Sequence, residues 1–279
     1  MRRIHRPAAW ALALLAAHGA ATAAVGADAA RELAQKSGLW SQLGSLGTQV
    51  RNGLNAAAQK DGGKLDAEQQ KRLLTCAEGA YAIDRIRAAA IDAVAGALSE
   101  PDLAPLRAWY DSPLGGRITQ MEEASSALAV DPQERLRLGA EKLAGAGPAR
   151  TAALQAILDN THGSQRMVDT MIEVTLAIQQ GVASADPSAA VPPAAEMRAA
   201  LEQQRPQLAA RYERILLSLF SFNYAGLPDD ELRRYADFLA SASGMAFNDA
   251  GARAVSRALR GGGVQLGRCV QEARTTRGS

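Results

Sequence analysis

The sequence predicts an all-α fold, built as a tandem duplication of one helical unit and packed as a multi-helix bundle. Apolar residues recur at helical spacing in almost every segment, and no convincing alternating strand pattern accompanies them. Aromatic residues make up only 4% of the chain, which is rich in alanine and leucine. A set of residues also recurs 129 positions later in the same order, which is typical of repeat proteins. The set is Leu98, Leu103, Trp109, Ser112 and Gly115, which recur as Leu227, Leu232, Phe238, Ser241 and Gly244.

Residues 1–23 are predicted to be a secretory signal peptide. Arg2, Arg3 and Arg6 precede a short apolar stretch over 8–17, and Ala21-Thr22-Ala23 supplies the small residues of a cleavage site. The apolar stretch is shorter than the roughly 20 residues of a transmembrane helix. We therefore expect export to the periplasm, with no transmembrane segment after cleavage near Ala23. An uncleaved N-terminal anchor is the alternative.

The net charge of the chain limits the classes of partner that we expect, and its length allows two helical units. The full chain carries a net charge of +2, and loss of the three leader arginines would bring the mature chain to −1. A near-neutral surface of mixed sign gives no electrostatic reason to expect binding to nucleic acid or to anionic lipid. The repeat pattern divides the rest of the chain into a first unit over 28–147 and a second unit over 148–275.

The first half of unit one is predicted from helix start and stop signals. Residues 29–58 have the pattern of one or two helices, which the Asp-Gly-Gly run at 61–63 ends. Asp66 then has the position of an N-cap, with Gln69 completing a capping box. A long helix is predicted over 66–98.

Three further start signals complete unit one. Ser99 can cap a short helix, and Ser112 can cap the next one, with Pro113 at its first position. Asp131 opens a helix that is expected to reach about residue 143. The Gly-Ala-Gly-Pro segment at 145–148 then ends the unit.

Unit two repeats this order of elements. Near the start of each unit an offset of 128 aligns Leu39, Leu43, Leu46, Val50 and Gly53 with Met167, Met171, Val174, Ile178 and Gly181. Helices are predicted over 150–160, 164–183 and 194–224, then from the Pro-Asp-Asp-Glu segment at 228–231, and over 243–260. The loop at 184–193 is rich in proline, alanine and serine. Three successive glycines at 261–263 predict a flexible break before a last short helix.

The two cysteines of the chain, Cys76 and Cys269, are candidates for a disulfide. An isolated pair in an oxidising compartment often forms one. Here the bond would tie unit one to the C-terminal segment. Two separate buried thiols remain the alternative, and the sequence contains no C-x-x-C redox motif.

The segment Trp109-Tyr110-Asp111-Ser112-Pro113-Leu114-Gly115 resembles a known signature. It is similar to the aromatic-aromatic-x-S-P-x-G motif of an exported bacterial family, domain of unknown function 2059. Leu98-Ser99-Glu100-Pro101-Asp102-Leu103 is similar to the lead-in of that family. The segment over 238–244 keeps one aromatic residue, the serine and the glycine but lacks the proline. The resemblance implies a helical exported protein and carries over no catalytic residue.

The motif also has a structural interpretation that requires no activity. Its aromatic pair would end one helix and pack against neighbours, its serine and proline would start the next, and its glycine would permit close backbone approach. The residues with this predicted role are Trp109, Tyr110, Ser112, Pro113, Gly115, Phe238, Ser241 and Gly244. The functional alternative is that Tyr110, Asp111 and Ser112 line a ligand groove.

The sequence predicts no catalytic, cofactor-binding or metal-binding residue. His162 is the single histidine outside the leader, and it lies in a predicted helix break without the spacing of a zinc motif. Glu122 and Glu123 are expected on a solvated helix face. The glycine runs do not predict a phosphate-binding loop, because such a loop follows a strand and no predicted strand precedes them.

The leading functional expectation is a non-enzymatic binding or interaction protein of the cell envelope. Its partner would be another envelope protein or an apolar ligand. The alternatives are a hydrolase acting on an envelope component and a carrier of apolar molecules. The most apolar stretch after the leader, over 215–222, is predicted as a buried helix, with an apolar groove or partner surface as its alternative.

Overall fold

A computed structural model describes residues 24–60, 66–127 and 130–275, so the predicted signal peptide lies outside the described residues. The described chain is all-α, as predicted, and its one β-type contact is an isolated bridge between Ala24 and Ser99. Its helices are α1 (Ala27–Lys36), α2 (Leu39–Lys60), α3 (Ala67–Ala80), α4 (Ile83–Ala97), α5 (Glu100–Tyr110), α6 (Pro113–Ala127), α7 (Pro132–Ala144), α8 (Pro148–Asn160), α9 (Gly163–Ala185), α10 (Ala194–Gln203), α11 (Arg205–Asn223), α12 (Asp229–Ala240) and α13 (Ala242–Thr275).

The predicted N-caps begin their helices. Asp66 accepts a hydrogen bond from the Gln69 amide at 2.8 Å, and the Gln69 side chain accepts one from the Asp66 amide at 2.9 Å. Asp131 accepts from the amides of Gln133 and Glu134 at the start of α7. These side chains satisfy amide groups that have no partner within the helix, so the start signals are confirmed.

Two helices that were predicted to be continuous are each broken once. The segment 66–98 forms α3 and α4, which separate at Tyr81, where the ring is buried and the hydroxyl donates to the Leu259 carbonyl at 3.3 Å. The segment 194–224 forms α10 and α11, with Pro206 in the first turn of α11. The first break thus coincides with the tertiary contact of Tyr81. The second coincides with a proline, which is favoured in the first turn of a helix.

The predicted flexible break at 261–263 is wrong, because α13 runs through it as a helix of 34 residues. A Cβ atom on Gly262 would lie 2.3 Å from a ring carbon of Tyr81. A Cβ atom on Gly263 would lie 3.2 Å from the Cβ of Ala177. These glycines therefore allow close side-by-side packing of helices rather than chain flexibility.

Helix α13 belongs to the second predicted unit and packs against α3 and α4 of the first unit and against α9 of its own. The disulfide between Cys76 and Cys269 joins α3 to α13 with a Cα–Cα distance of 5.9 Å, which confirms the predicted bond. On its other side α13 meets α9 at glycines, since a Cβ on Gly267 would lie 1.9 Å from the Ile178 carbonyl oxygen.

The buried apolar residues form two clusters, and each takes residues from both sides of residue 147. The first core contains residues of α1 to α5 together with Phe247, Leu266 and Cys269 of α13. The second core contains residues of α8 and α12 together with Leu114 and Ile118 of α6. Helix α13 of the second predicted unit thus completes the core of the first, and α6 of the first unit completes the core of the second. The duplication itself stays a prediction.

Candidate functional site

The motif at 109–115 joins α5 to α6 through one serine hydroxyl. Ser112 Oγ donates to the Trp109 carbonyl at 2.6 Å and accepts from the Gly115 amide at 3.0 Å. A Cβ atom on Gly115 would lie 2.1 Å from the Trp109 carbonyl oxygen, so only glycine fits the contact. Pro113 is the first residue of α6. This is the arrangement that the structural interpretation predicts.

The corresponding segment between α12 and α13 has the same local geometry without the proline. Ser241 Oγ donates to the Phe238 carbonyl at 2.6 Å and accepts from the Gly244 amide at 3.1 Å. A Cβ atom on Gly244 would again lie 2.1 Å from that carbonyl oxygen. The serine and glycine are therefore shared by both joints, and the proline is specific to the first.

The aromatic residues of the two motif segments contact each other. The Trp109 ring stacks on Phe238 at 4.3 Å with an interplanar angle of 5°, and on Tyr235 at 6.0 Å. Tyr110 meets Phe238 and Phe247 edge-on at 5.8 and 5.6 Å. Such offset and edge contacts are the favourable arrangements for aromatic rings. The end of α5 is thereby fixed against α12 and α13.

A cavity of about 630 Å³ lies beside this aromatic cluster. Its volume falls within the range of small-molecule binding sites, which are mostly apolar with a few placed polar groups. Its walls come from α2, α5, α6, α8, α9, α11, α12 and α13. Apolar lining residues include Leu39, Leu46, Trp109, Tyr110, Ile118, Ile157, Met167, Leu216, Phe220, Phe238, Phe247 and Val255.

Residues at predicted equivalent positions line this cavity in pairs. At an offset of 129 the pairs are Trp109 and Phe238, Tyr110 and Leu239, Ile118 and Phe247, Thr119 and Asn248, and Glu122 and Gly251. At an offset of 128 they are Leu39 and Met167, and Gln42 and Thr170. The cavity therefore lies where the two predicted units meet, and both units contribute lining residues at predicted equivalent positions.

Glu122 lies in this cavity, and its expected place on a solvated helix face is wrong. Its Oε1 accepts hydrogen bonds from the hydroxyls of Tyr224 at 2.5 Å and Tyr235 at 2.9 Å. Protein surrounds the carboxyl, and desolvation raises its pKa above the ordinary value, while the two tyrosine bonds oppose that rise. The sequence signal for this placement was its position four residues after the buried Ile118, on the same helix face.

A second polar group of the cavity is centred on Arg166 of α9. Its guanidinium pairs with Asp249 of α13 and donates to the Asn248 carbonyl at 3.4 Å. The Asn248 side-chain nitrogen is buried and has no hydrogen-bond partner among the described residues. A smaller cavity of about 170 Å³ adjoins here and shares Arg166 and Thr170 with the main one.

The remaining residues singled out from the sequence are dispersed. Tyr110 lines the cavity, but Asp111 pairs with Lys36 at 2.7 Å and Ser112 caps α6, so these three residues do not form a groove together. His162 is exposed at the start of α9, with a φ of 49°. Within the part of the chain that the structure describes, no group of three potential ligands could hold a metal ion.

Comparison with known proteins adds no relative. No protein-family model matches the chain, and no curated protein or solved structure matches it. The resemblance of residues 109–115 to domain of unknown function 2059 therefore stays a prediction. In the described ranges, none of the helices combines the length and apolar character needed to cross a membrane.

Proposed function

We propose that this chain is an exported binding protein that holds an apolar or amphiphilic small molecule in the cavity between its two helical units. The observation that carries the proposal is the 630 Å³ cavity, whose walls present aromatic and aliphatic side chains. Trp109, Tyr110 and Phe238 keep part of their surface accessible there instead of being fully buried. An apolar ligand would remove that surface from water, which is favourable.

The polar groups of the cavity are few and sit on different helices. Glu122, with its two tyrosine partners, belongs to α6, whereas Arg166 belongs to α9. A mostly apolar wall with a few placed polar groups is typical of a binding site. Such groups would orient a ligand whose affinity comes from the apolar walls.

The cavity favours binding over hydrolysis. Glycoside hydrolysis commonly uses two carboxylates on either side of the scissile bond. Among the cavity-lining residues of the described chain, Glu122 is the one acid, and His162 is not one of them. We accordingly place the hydrolase alternative second, and the binding and carrier expectations become one proposal.

Two further parts of the proposal concern origin and location. We propose that the units arose by duplication, which would account for the paired residues on the cavity walls. The disulfide between Cys76 and Cys269 and the leader pattern at 1–23 support the periplasm, where the environment is oxidising. A periplasmic binding protein with this cavity would take up molecules of the cell envelope.

Tryptophan fluorescence tests the proposal directly, because Trp109 lines the cavity. The Trp40→Phe variant removes the other tryptophan of the described chain, which lies against Arg87 and is not one of the lining residues. Titration of this variant with dodecanol should give a saturable change in emission. The absence of saturable binding would overturn the proposal.

A cavity-filling variant supplies the matched control. A Cβ atom on Gly251 would meet only Leu39, at 3.7 Å, so Gly251→Leu should fold and occupy part of the cavity. Gly261 lies on the same helix, is exposed, and has open space around it, so Gly261→Leu is its counterpart. We expect Gly251→Leu to weaken dodecanol binding at least tenfold and Gly261→Leu to leave it unchanged. Equal binding by the two variants would place the ligand elsewhere.

A further inference from the structure

The junction of the two cavities carries an excess of positive charge. The smaller cavity is lined by Arg166, Thr170, Asp249, Ala252, Arg253 and Ser256, and it shares the first two and Ala252 with the main cavity. Two guanidinium groups therefore face one carboxylate at this point. All six residues belong to α9 and α13, which pack closely and hold the junction in place.

One buried donor beside the junction lacks an acceptor, and the two guanidinium groups share one carboxylate. A guanidinium has five N–H donors, and Arg166 directs some of them to Asp249 and to the Asn248 carbonyl. Arg253 lies 3.9 Å from Asp249, an ion pair that is too long for a hydrogen bond. The buried Asn248 nitrogen has no partner among the described residues, and a buried donor left without a bond is costly.

We propose that the ligand is an amphiphile with one anionic head group, whose oxygens bind Arg166, Arg253 and the Asn248 side-chain nitrogen, while its alkyl chain lies in the main cavity. The inference rests on the proposed function, because it names the ligand class of that same cavity. Guanidinium groups recognise carboxylates and phosphates through paired, charge-assisted hydrogen bonds. A fatty acid and a phosphate-headed lipid share this chemistry.

A substitution of Asp249 distinguishes anion binding by the arginines from a purely structural ion pair. Its carboxylate already pairs with Arg166 and approaches Arg253, so it competes with an incoming anion. Removing that charge should free both guanidinium groups for the ligand. A merely structural role of this ion pair would instead predict weaker binding when the pair is broken.

The first measurement compares four ligands of equal chain length in the Trp40→Phe protein at fixed ionic strength. These are dodecanoate, dodecyl phosphate, dodecanol and dodecylamine. We expect one or both anions to bind about tenfold tighter than dodecanol, in line with the strength of a hydrogen bond to a charged group. The tighter of the two anions distinguishes a carboxylate source from a phosphate source.

The second measurement assigns the head-group residues. We expect Arg166→Gln and Arg253→Gln each to lower affinity for the preferred anion at least threefold and to lower affinity for dodecanol by a smaller factor. Asp249→Asn should raise affinity for that anion. Arg257→Gln removes an exposed charge from the same helix and should change neither ligand. Thermal unfolding of each variant identifies one that fails to fold, and the two arginine variants test the site independently.

The outcomes separate this inference from the proposed function. Equal affinity for dodecanol and the anions would overturn the anionic head group and leave the apolar site standing. Tightest binding of dodecylamine would also overturn it and would assign the head group to Glu122. Weaker anion binding in a folded Asp249→Asn variant would overturn the role of the arginines. Binding of none of the four ligands would overturn the proposed function itself.

Discussion

The same serine and glycine contacts form the joint between α5 and α6 and the joint between α12 and α13. The helices that follow the two joints differ in length. In both, a serine hydroxyl bridges a carbonyl and an amide, and a glycine lies against the same carbonyl. Beyond the joint, α6 ends at residue 127 and α7 begins at residue 132, whereas α13 continues for 34 residues. The shared residues join helices, so they account for the architecture alone.

The differences between the two segments face the cavity. Ile118 and Thr119 of α6 correspond to Phe247 and Asn248 of α13, and Glu122 corresponds to Gly251. The first segment therefore supplies a carboxyl group to the cavity, and the second supplies an amide and open space. The selectivity of the proposed binding site is expected to depend on the positions where the two segments differ.

The largest expected effect tests whether both joints need glycine. In Gly115→Ala and Gly244→Ala the new Cβ would lie 2.1 Å from a backbone oxygen, so the helices must move apart. We expect each change to lower the free energy of unfolding by about 3 kcal/mol, as measured by urea denaturation. Gly116→Ala is the control, because its Cβ would meet the nearest oxygen at 3.8 Å. Equal stability of Gly115→Ala and Gly116→Ala would contradict the shared mechanism.

An intermediate effect distinguishes the two serines. Ser112 is half-buried and Ser241 is exposed, so water can replace the hydroxyl more readily at the second joint. We expect Ser112→Ala to cost about 1 kcal/mol and Ser241→Ala about 0.5 kcal/mol in urea denaturation. Ser112→Thr retains the hydroxyl and serves as the control. A larger loss at Ser241 would show that Pro113, rather than burial, decides how much the serine contributes.

Local signals in the sequence were sufficient for most of the fold. Asp66 and Asp131 start their helices through bonds to residues two or three positions away, so their roles could be predicted from neighbours alone. The joint serines are equally local. The pairing of Cys76 with Cys269 was predictable because the chain has no other cysteine.

Features that depend on distant helices were not predictable in this way. Gly262 signals flexibility in the sequence, yet it lies within a helix because the ring of Tyr81 occupies the space beside it. Glu122 has the sequence context of a surface acid, but Tyr224 and Tyr235 reach it from α11 and α12. Both errors arise from contacts between residues about one hundred or more positions apart.

The smallest expected effect is a change in the pH dependence of stability, and it concerns Glu122, whose counterpart at the offset of 129 is Gly251. Burial raises the pKa of Glu122 in the folded chain, whereas the unfolded chain releases the proton near the ordinary glutamate value. Between these two pKa values unfolding releases a proton, so the free energy of unfolding falls as the pH rises. Glu122→Gln cannot titrate, and its Oε1 can still accept from Tyr224 and Tyr235.

We therefore expect Glu122→Gln to gain stability relative to the parent as the pH rises above about 4.5. Thermal unfolding of both proteins at a series of pH values up to 8 measures this difference, since the contributions of all other groups cancel. Glu196→Gln removes an exposed carboxyl from α10 and tests whether any lost charge has the same effect. A constant difference between Glu122→Gln and the parent would mean that the cavity does not desolvate the carboxyl. The segments that carry Glu122 and Gly251 would then differ in shape and not in electrostatics.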